Sequence, residues 1–226
     1  MRIIFNKVSK NFGKNAPALD ETSFEINEGE FVFLVGSSGA GKTTVLRLII
    51  QDLIPTSGKI EIEKFVISKK NHVDTAKLRR KIGMVFQDFK ILYNRTTFEN
   101  VAIALEILGK KSDEISKKVH EVLHLVGLSD KANFFPIQLS AGELQRASIA
   151  RAIVGGPKIL LADEPTGNLD PTTSWEIMKI LREINDLGTT VIMATHNADI
   201  VNSLNKRVIT IKKGKVVKDE KTGKYS

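Results

Sequence analysis

The sequence predicts an α/β protein: a parallel sheet covered on both faces, short antiparallel strands ahead of it, and a helical lobe inserted into it. Three observations predict this. Apolar runs of strand length, such as Phe31-Val32-Phe33-Leu34-Val35, show no alternation, as a strand buried on both faces requires. From residue 159 onward, strand and helix patterns alternate. Between 88 and 156 there is no strong strand signal.

Ile3, Phe5 and Val8, then Phe24 and Ile26, alternate and are broken by Gly13, Pro17 and Gly29, which predicts short strands joined by turns. A glycine-rich loop follows the run 31–35, then a helical stretch over 43–52 that stops before Pro55. Alternation returns over 59–67, and 81–86 reads as a strand. The stretch 99–128 is helical in pattern, with Val101, Leu105, Leu108, Ile115, Val119, Val122, Leu123 and Val126 on its apolar side. Leu144, Ala147, Ala150, Ile153 and Val154 mark another amphipathic helix. A strand over 159–162, a helix over 174–187 and a strand over 190–194 complete the alternation.

The 226 residues, 42% of them hydrophobic, suffice for one large domain with a sizeable core. No apolar run approaches the ~20 residues that span a bilayer. The first residues, Met1-Arg2-Ile3-Ile4-Phe5-Asn6, lack the apolar stretch of a signal peptide. Without cysteine there is neither a disulfide framework nor thiolate chemistry. These features predict a soluble cytoplasmic protein. The net charge is +8, and residues 201–226 carry eight Lys or Arg against Asp219 and Glu220. Such a bias draws nucleic acid or anionic lipid, or is an ordinary solvated face; alone it selects no partner.

Gly36-Ser37-Ser38-Gly39-Ala40-Gly41-Lys42-Thr43 fits G-x-x-x-x-G-K-[ST] and lies between a predicted strand and a predicted helix. Backbone N–H groups of such a loop wrap a β-phosphate, and the helix start adds a positive dipole end. Lys42 reaches the β- and γ-phosphates, and the Thr43 hydroxyl ligates Mg²⁺. Ile159-Leu160-Leu161-Ala162-Asp163-Glu164 is an apolar strand ending in two carboxylates. Asp163 is placed to hold Mg²⁺ and Glu164 to deprotonate an attacking water. Leu139-Ser140-Ala141-Gly142-Glu143 precedes a helix. It reads either as a second anion site or as an N-cap with Glu143 completing a capping box. His196 ends a strand, where a lone histidine is commonly a surface residue. His72, His120 and His124 carry no motif, and Trp175, Phe134 and Phe135 read as packing residues.

The order of phosphate loop, Gln87, LSAGE, Asp163-Glu164, Asn168-Leu169-Asp170 and His196 resembles the nucleotide-binding subunit of ATP-binding cassette (ABC) proteins over essentially the whole chain. The resemblance implies a P-loop NTPase (RecA-like) core with a parallel sheet, an N-terminal antiparallel β subdomain and an inserted helical subdomain. The core takes residues 1–87 and 157–226, and the helical lobe 88–156. It implies that Gly36 to Thr44, including Ser37, Ser38, Gly39, Ala40, Gly41, Lys42, Thr43 and Thr44, bind ATP with Mg²⁺. Gln87 touches Mg²⁺ and senses the lobe. Ser140, Ala141, Gly142 and Glu143 bind the γ-phosphate held by a second copy of the chain. Asn168, Leu169 and Asp170 form the D-loop, His196 is the switch histidine, and Phe12 stacks on adenine. Glu164 is the catalytic base.

One departure stands out. The usual signature is LSGGQ; Ala141 replaces its first Gly and Glu143 its Gln, and a Cβ at 141 bears on the hydrolysis rate where the backbone needs positive φ or approaches phosphate closely. Two narrower stretches, 79–102 and 133–140, together with Leu161-Ala162-Asp163-Glu164-Pro165-Thr166-Gly167-Asn168-Leu169-Asp170, resemble the FtsE branch of bacterial cell-division ATPases. That implies an FtsX-like integral membrane partner, a place on the inner face of the cell membrane, and control of cell-wall hydrolysis. No nucleic acid partner is implied. Lipoprotein-release and macrolide-export ATPases share the Gly167-Asn168-Leu169-Asp170 segment and are the alternative. A DNA-associated ABC ATPase is disfavoured, because the long inserted coiled coil of that class is missing. The groove that receives the partner is expected beside Gln87, lined by residues 88–97.

Overall fold

The computed structural model describes residues 1–13, 17–71 and 73–225, so His72 lies outside the described residues. Strands β1 (Ile3–Asn11) and β2 (Pro17–Ile26) pair antiparallel with Ile3 opposite Ile26 and Phe5 opposite Phe24. Their alternation buries Ile3, Phe5 and Val8, and the rings of Phe5 and Phe24 stack at 4.4 Å. With β4 (Ser57–Ile62) and β5 (Phe65–Ser68) they form a four-stranded antiparallel sheet in the order β2-β1-β4-β5.

The second sheet contains β3 (Phe31–Val35), β6 (Ile82–Val85), β7 (Ile159–Asp163), β8 (Thr190–Thr195), β9 (Arg207–Lys212) and β10 (Lys215–Glu220). Its order is β10-β9-β3-β8-β7-β6, parallel throughout except for the terminal β9–β10 pair. Every residue of β3 and β8 is buried, because the sheet is covered on both faces. Val32 and Leu34 join helix α1 (Lys42–Ile49) and the antiparallel sheet in one cluster. Phe31, Phe33 and Val35 point the other way, toward α6 (Pro171–Asp186) and the lobe. Since β3, β8 and β7 are parallel neighbours, their carboxyl ends gather at one edge, where ligands bind in open α/β sheets.

The short helix α2 (Thr75–Arg79) packs beside β6. Among the described residues, 88–156 hold no strand, as the sequence predicts. The lobe is built from α3 (Thr97–Ile107), α4 (Ser112–Leu125) and the first turns of α5 (Ala141–Ile153). The continuous helical pattern read over 99–128 is two helices. Gly109 adopts φ +70°, and the N–H groups of Gly109 and Lys110 donate to Glu106 O and Leu105 O, the double bond that ends a helix at a left-handed residue. The apolar period resumes in phase beyond it, which hides the break. The last turn of α5 reaches the core, where a Cβ on Gly83 of β6 would lie 2.4 Å from Ala152 O.

Helix α7 (Ala198–Leu204) and the β9–β10 hairpin take up the basic end of the chain. There Arg207 is held by Glu30 at 2.7 Å and Asp219 at 2.8 Å. Two aromatic readings are corrected. Trp175 and Phe135 are 42% and 44% exposed rather than packed, while Phe134 is half-buried under Lys131 Nζ at 4.5 Å. His120 and His124 are exposed as expected. No helix among the described residues is long and apolar enough to cross a membrane.

Candidate nucleotide site

The loop between β3 and α1 is shaped by its backbone. Gly41 caps α1 at φ +114°, and a Cβ there would lie 2.6 Å from Ala18 O, so both conformation and space demand glycine. Ala40 N–H donates to Ser37 O at 3.1 Å, and Ala40 O accepts from Gly214 N–H at 3.0 Å. Gly214 O in turn accepts from the Thr22 hydroxyl at 2.6 Å and from Asp20 N–H at 2.9 Å. The β9–β10 turn therefore braces the loop from beneath. A cleft of about 160 Å³ results, lined by Ala18, Ser38 to Thr44 and Glu164. Lys42 is 6% exposed. Its Nζ donates to Gly36 O at 2.8 Å and Ser37 O at 3.3 Å, and lies 3.7 Å from Glu164 Oε1.

Asp163 and Glu164 arrive at the same cleft from β7. The Thr43 hydroxyl donates to Asp163 Oδ1 at 3.1 Å. Burial pushes the Asp163 carboxyl above the usual carboxylate range and the charge of Glu164 adds to this, while the Thr43 bond and Lys42 oppose it. Glu164 has φ +47°, a left-handed conformation held by its N–H bond to Ala194 O at 2.9 Å and by Gly167 N–H donating to Glu164 O at 3.0 Å. The turn aims the side chain back over the loop, where Glu164 Oε2 meets His196 Nδ1 at 2.9 Å. His196 is an exposed residue just beyond β8, yet it is tied to the cleft rather than free.

Gln87, just past β6, places its amide against Gly167 of the same turn, and a Cβ on Gly167 would lie 3.2 Å from Gln87 Nε2. Asn168 Nδ2 donates to Gln87 O at 3.4 Å. No hydrogen bond joins Gln87 to Thr43 or Asp163 among the described residues. Gln145 went unnoticed in the sequence. It is fully buried in α5 and donates to Pro165 O at 2.8 Å, fastening the lobe helix to the turn beyond Glu164. Its same-face neighbours Gly142, Ser148 and Ile149 form no apolar stripe that would mark it.

The remaining predicted residues lie outside this cleft. Phe12 is 62% exposed, with Lys10 Nζ 5.4 Å from its ring. Asp170 caps α6, accepting from the Thr173 hydroxyl and from Thr173 N–H at 3.0 Å, and these two bonds hold its carboxyl below the usual range. Ser140 and Glu143 do form the capping box of α5: Ser140 Oγ accepts from Glu143 N–H at 3.3 Å, and Glu143 Oε2 accepts from Ser140 N–H at 2.8 Å. The bond from Ser140 N–H keeps the Glu143 carboxyl low. Ala141 is an exposed first-turn helical residue, absent from the positive-φ positions, so the strain feared at this departure does not arise.

A second cleft, about 400 Å³, opens between the core and the lobe, with Arg79, Arg80, Ile82, Met84, Ile107 and Arg151 among its walls. Residues 88–97 do not line it. They adjoin it through Arg151, which donates to Lys90 O at 2.8 Å and Phe89 O at 3.0 Å. Fully buried Asn100 holds the same loop through Leu92, Arg95 and Thr96.

This arrangement has relatives. Residues 19–167 match the family model described as ABC transporter. The chain belongs to the ABC transporter family. Within that family it is FtsE-like: it is 51% identical to the cell division ATP-binding protein FtsE of Mycobacterium tuberculosis, over 100% of this chain and 98% of that protein. Against FtsE of Bacillus subtilis the identity is 52%, over 99% and 98%. FtsE of Escherichia coli K12 is 46% identical, over 94% and 96%. Among solved ABC structures, the ATP-binding cassette MJ0796, a dimer in a post-hydrolysis state bound to ADP and Pi, superposes with a TM-score of 0.87. It is 35% identical and covers 99% of this chain and 100% of that one.

Proposed function

We propose that two copies of this chain bind Mg·ATP between them and hydrolyse it, as the ATPase subunit of a cell-division complex. The carrying observation is the meeting of Lys42, Thr43, Asp163, Glu164 and His196 at the carboxyl ends of three adjacent parallel strands. Backbone N–H groups of residues 38–43 and the start of α1 receive the phosphates. Phe12 offers an exposed ring to the adenine. The Thr43 hydroxyl and Asp163 carboxylate are adjacent hard oxygen donors, the kind Mg²⁺ takes beside phosphate oxygens and water, and they would hold it together with Gln87. The ion supplies charge neutralisation across the β- and γ-phosphates.

Glu164 then accepts a proton from the water whose oxygen attacks the γ-phosphorus as the bond to the β-phosphate oxygen breaks. His196, already bonded to Glu164, keeps that carboxylate aimed and can donate toward the γ-phosphate. Lys42, engaged here with Gly36 O and Ser37 O, turns to the phosphates when they arrive. One chain carries one phosphate loop and one Ser140 turn, so two copies related by a two-fold axis complete two sites, with Ser140, Ala141, Gly142, Glu143 and Asp170 facing the nucleotide of the other copy. Light scattering of Glu164→Gln with Mg·ATP is expected to show a dimer. A persistent monomer at high protein concentration overturns this reading.

The partner is an FtsX-like integral membrane protein, which keeps the chain on the inner face of the cell membrane and lets closure of the ATP dimer control cell-wall hydrolysis. The cleft walled by Ile82, Met84 and Ile107, with Arg79, Arg80 and Arg151, is suited to a helix of that partner. Tyr93 is 67% exposed on the adjoining loop. Lys90→Glu and Arg95→Glu are expected to weaken membrane recruitment while ATP binding persists. Cell fractionation that finds both variants still membrane-bound removes the loop from the contact and makes the basic end of the chain the better candidate.

A further inference from the structure

The turn that carries Ser140 and the turn that carries Asp170 start two helices, α5 and α6, that touch in their first turns. Gly142 is buried there although Ala141 beside it is exposed, and its φ is not positive, so space alone requires the glycine. A Cβ on Gly142 would lie 2.5 Å from Thr173 Cγ2 and 3.7 Å from Thr173 Cβ. Thr173 cannot easily turn that methyl away, because its hydroxyl and its N–H are both bonded to Asp170. One turn further along, Arg146 Nη1 meets Glu176 Oε2 at 3.0 Å. The same two faces therefore meet twice, at 142 with 173 and at 146 with 176.

We propose that Thr173 is a positioning residue: its methyl, locked by Asp170, sets the spacing between the Ser140 turn and the Asp170 turn. The proposal rests on the reading of both turns as parts of an ATP site shared between two copies. It assigns the smallness of residue 142 to the chain's own α6 rather than to close approach of a phosphate.

The test places Gly142→Ala in three backgrounds: wild-type, Thr173→Ser and Thr173→Val. Serine removes Cγ2 and keeps the bonds to Asp170; valine keeps a methyl in place of Cγ2 and loses the hydroxyl. Thermal stability of the nucleotide-free chain and Mg·ATP turnover are read for each. Gly142→Ala alone is expected to lower the melting temperature and to cut turnover about tenfold or more, as overpacking against a fixed side chain does. Thr173→Ser is expected to restore most of both, and Thr173→Val neither. An equal defect of Gly142→Ala in all three backgrounds overturns the proposal and returns Gly142 to the phosphate; rescue by both partners removes the methyl from the account. If wild-type turnover or ATP-dependent dimerisation is missing, the proposed function fails. The thermal rescue still decides the contact between 142 and 173.

Discussion

The loop before α1 and the turn before α5 both deliver the chain into a helix, but they are held in opposite ways. The first leaves a fully buried strand, is braced by Gly214 and Ala18 from elsewhere in the chain, and buries its lysine. The second stands at the surface, its Ser140 bonded, among the described residues, only to the next turn of its own helix. The difference teaches that the first loop is held from outside itself by the fold, while the second is a capped helix start with an exposed outward face. Preorganisation is concentrated in the loop that distant parts of the chain brace.

The largest effect should separate roles inside the preorganised half. Lys42→Ala removes a charge-assisted contact, so nucleotide affinity and hydrolysis fall together. Glu164→Gln keeps shape and hydrogen bonding, so nucleotide binding is retained while hydrolysis falls by ~10²–10⁴. Equilibrium nucleotide binding and steady-state turnover distinguish them, and equal affinity losses would merge the two roles.

A middle-sized effect tests the brace itself. Gly41→Ala forces a side chain into φ +114° against Ala18 O. A cost of ~1–3 kcal/mol is expected in denaturant unfolding, as for other residues held in sparsely allowed backbone. A neutral result would mean that the loop relaxes freely, and the contrast with the lobe would weaken.

The smallest effect belongs to the lobe. Ser140→Ala should cost ~1 kcal/mol, the usual worth of an N-cap. Its partner Glu143 has a carboxyl below its ordinary value of 4.5, so the capping box stabilises fully above that pH and loses its contribution as pH falls through the lower, folded value. The stability gap between wild type and Glu143→Ala should therefore narrow in acid. A gap that widens there would assign the stabilisation to something other than Glu143.

Much of the site was legible because its parts are local. A phosphate loop between strand and helix, and a carboxylate pair ending an apolar strand, are read within ten residues. The strands covered on both faces were legible for the same reason. What stayed hidden depends on partners far away in sequence. The Glu164–His196 bond exists because β7 and β8 lie in parallel register, with Asp163 opposite Ala194, and only the order of motifs hinted at it. Gln145 escaped because its bond is to the backbone of residue 165. Trp175 and Phe135 were read as packing residues since aromatic character gives no sign of whether anything covers the ring. The break at Gly109 was masked by an apolar period that continues across it.

The brace at Gly214 also has a consequence for how the protein is made. Gly214 accepts from Thr22 across a separation of 192 residues, and it holds Ala40 of the phosphate loop as well. A ribosome delivers the loop long before it delivers the brace. The emerging chain passes through most of its synthesis without this contact, which forms beneath residue 40 only once the β9–β10 turn has left the ribosome.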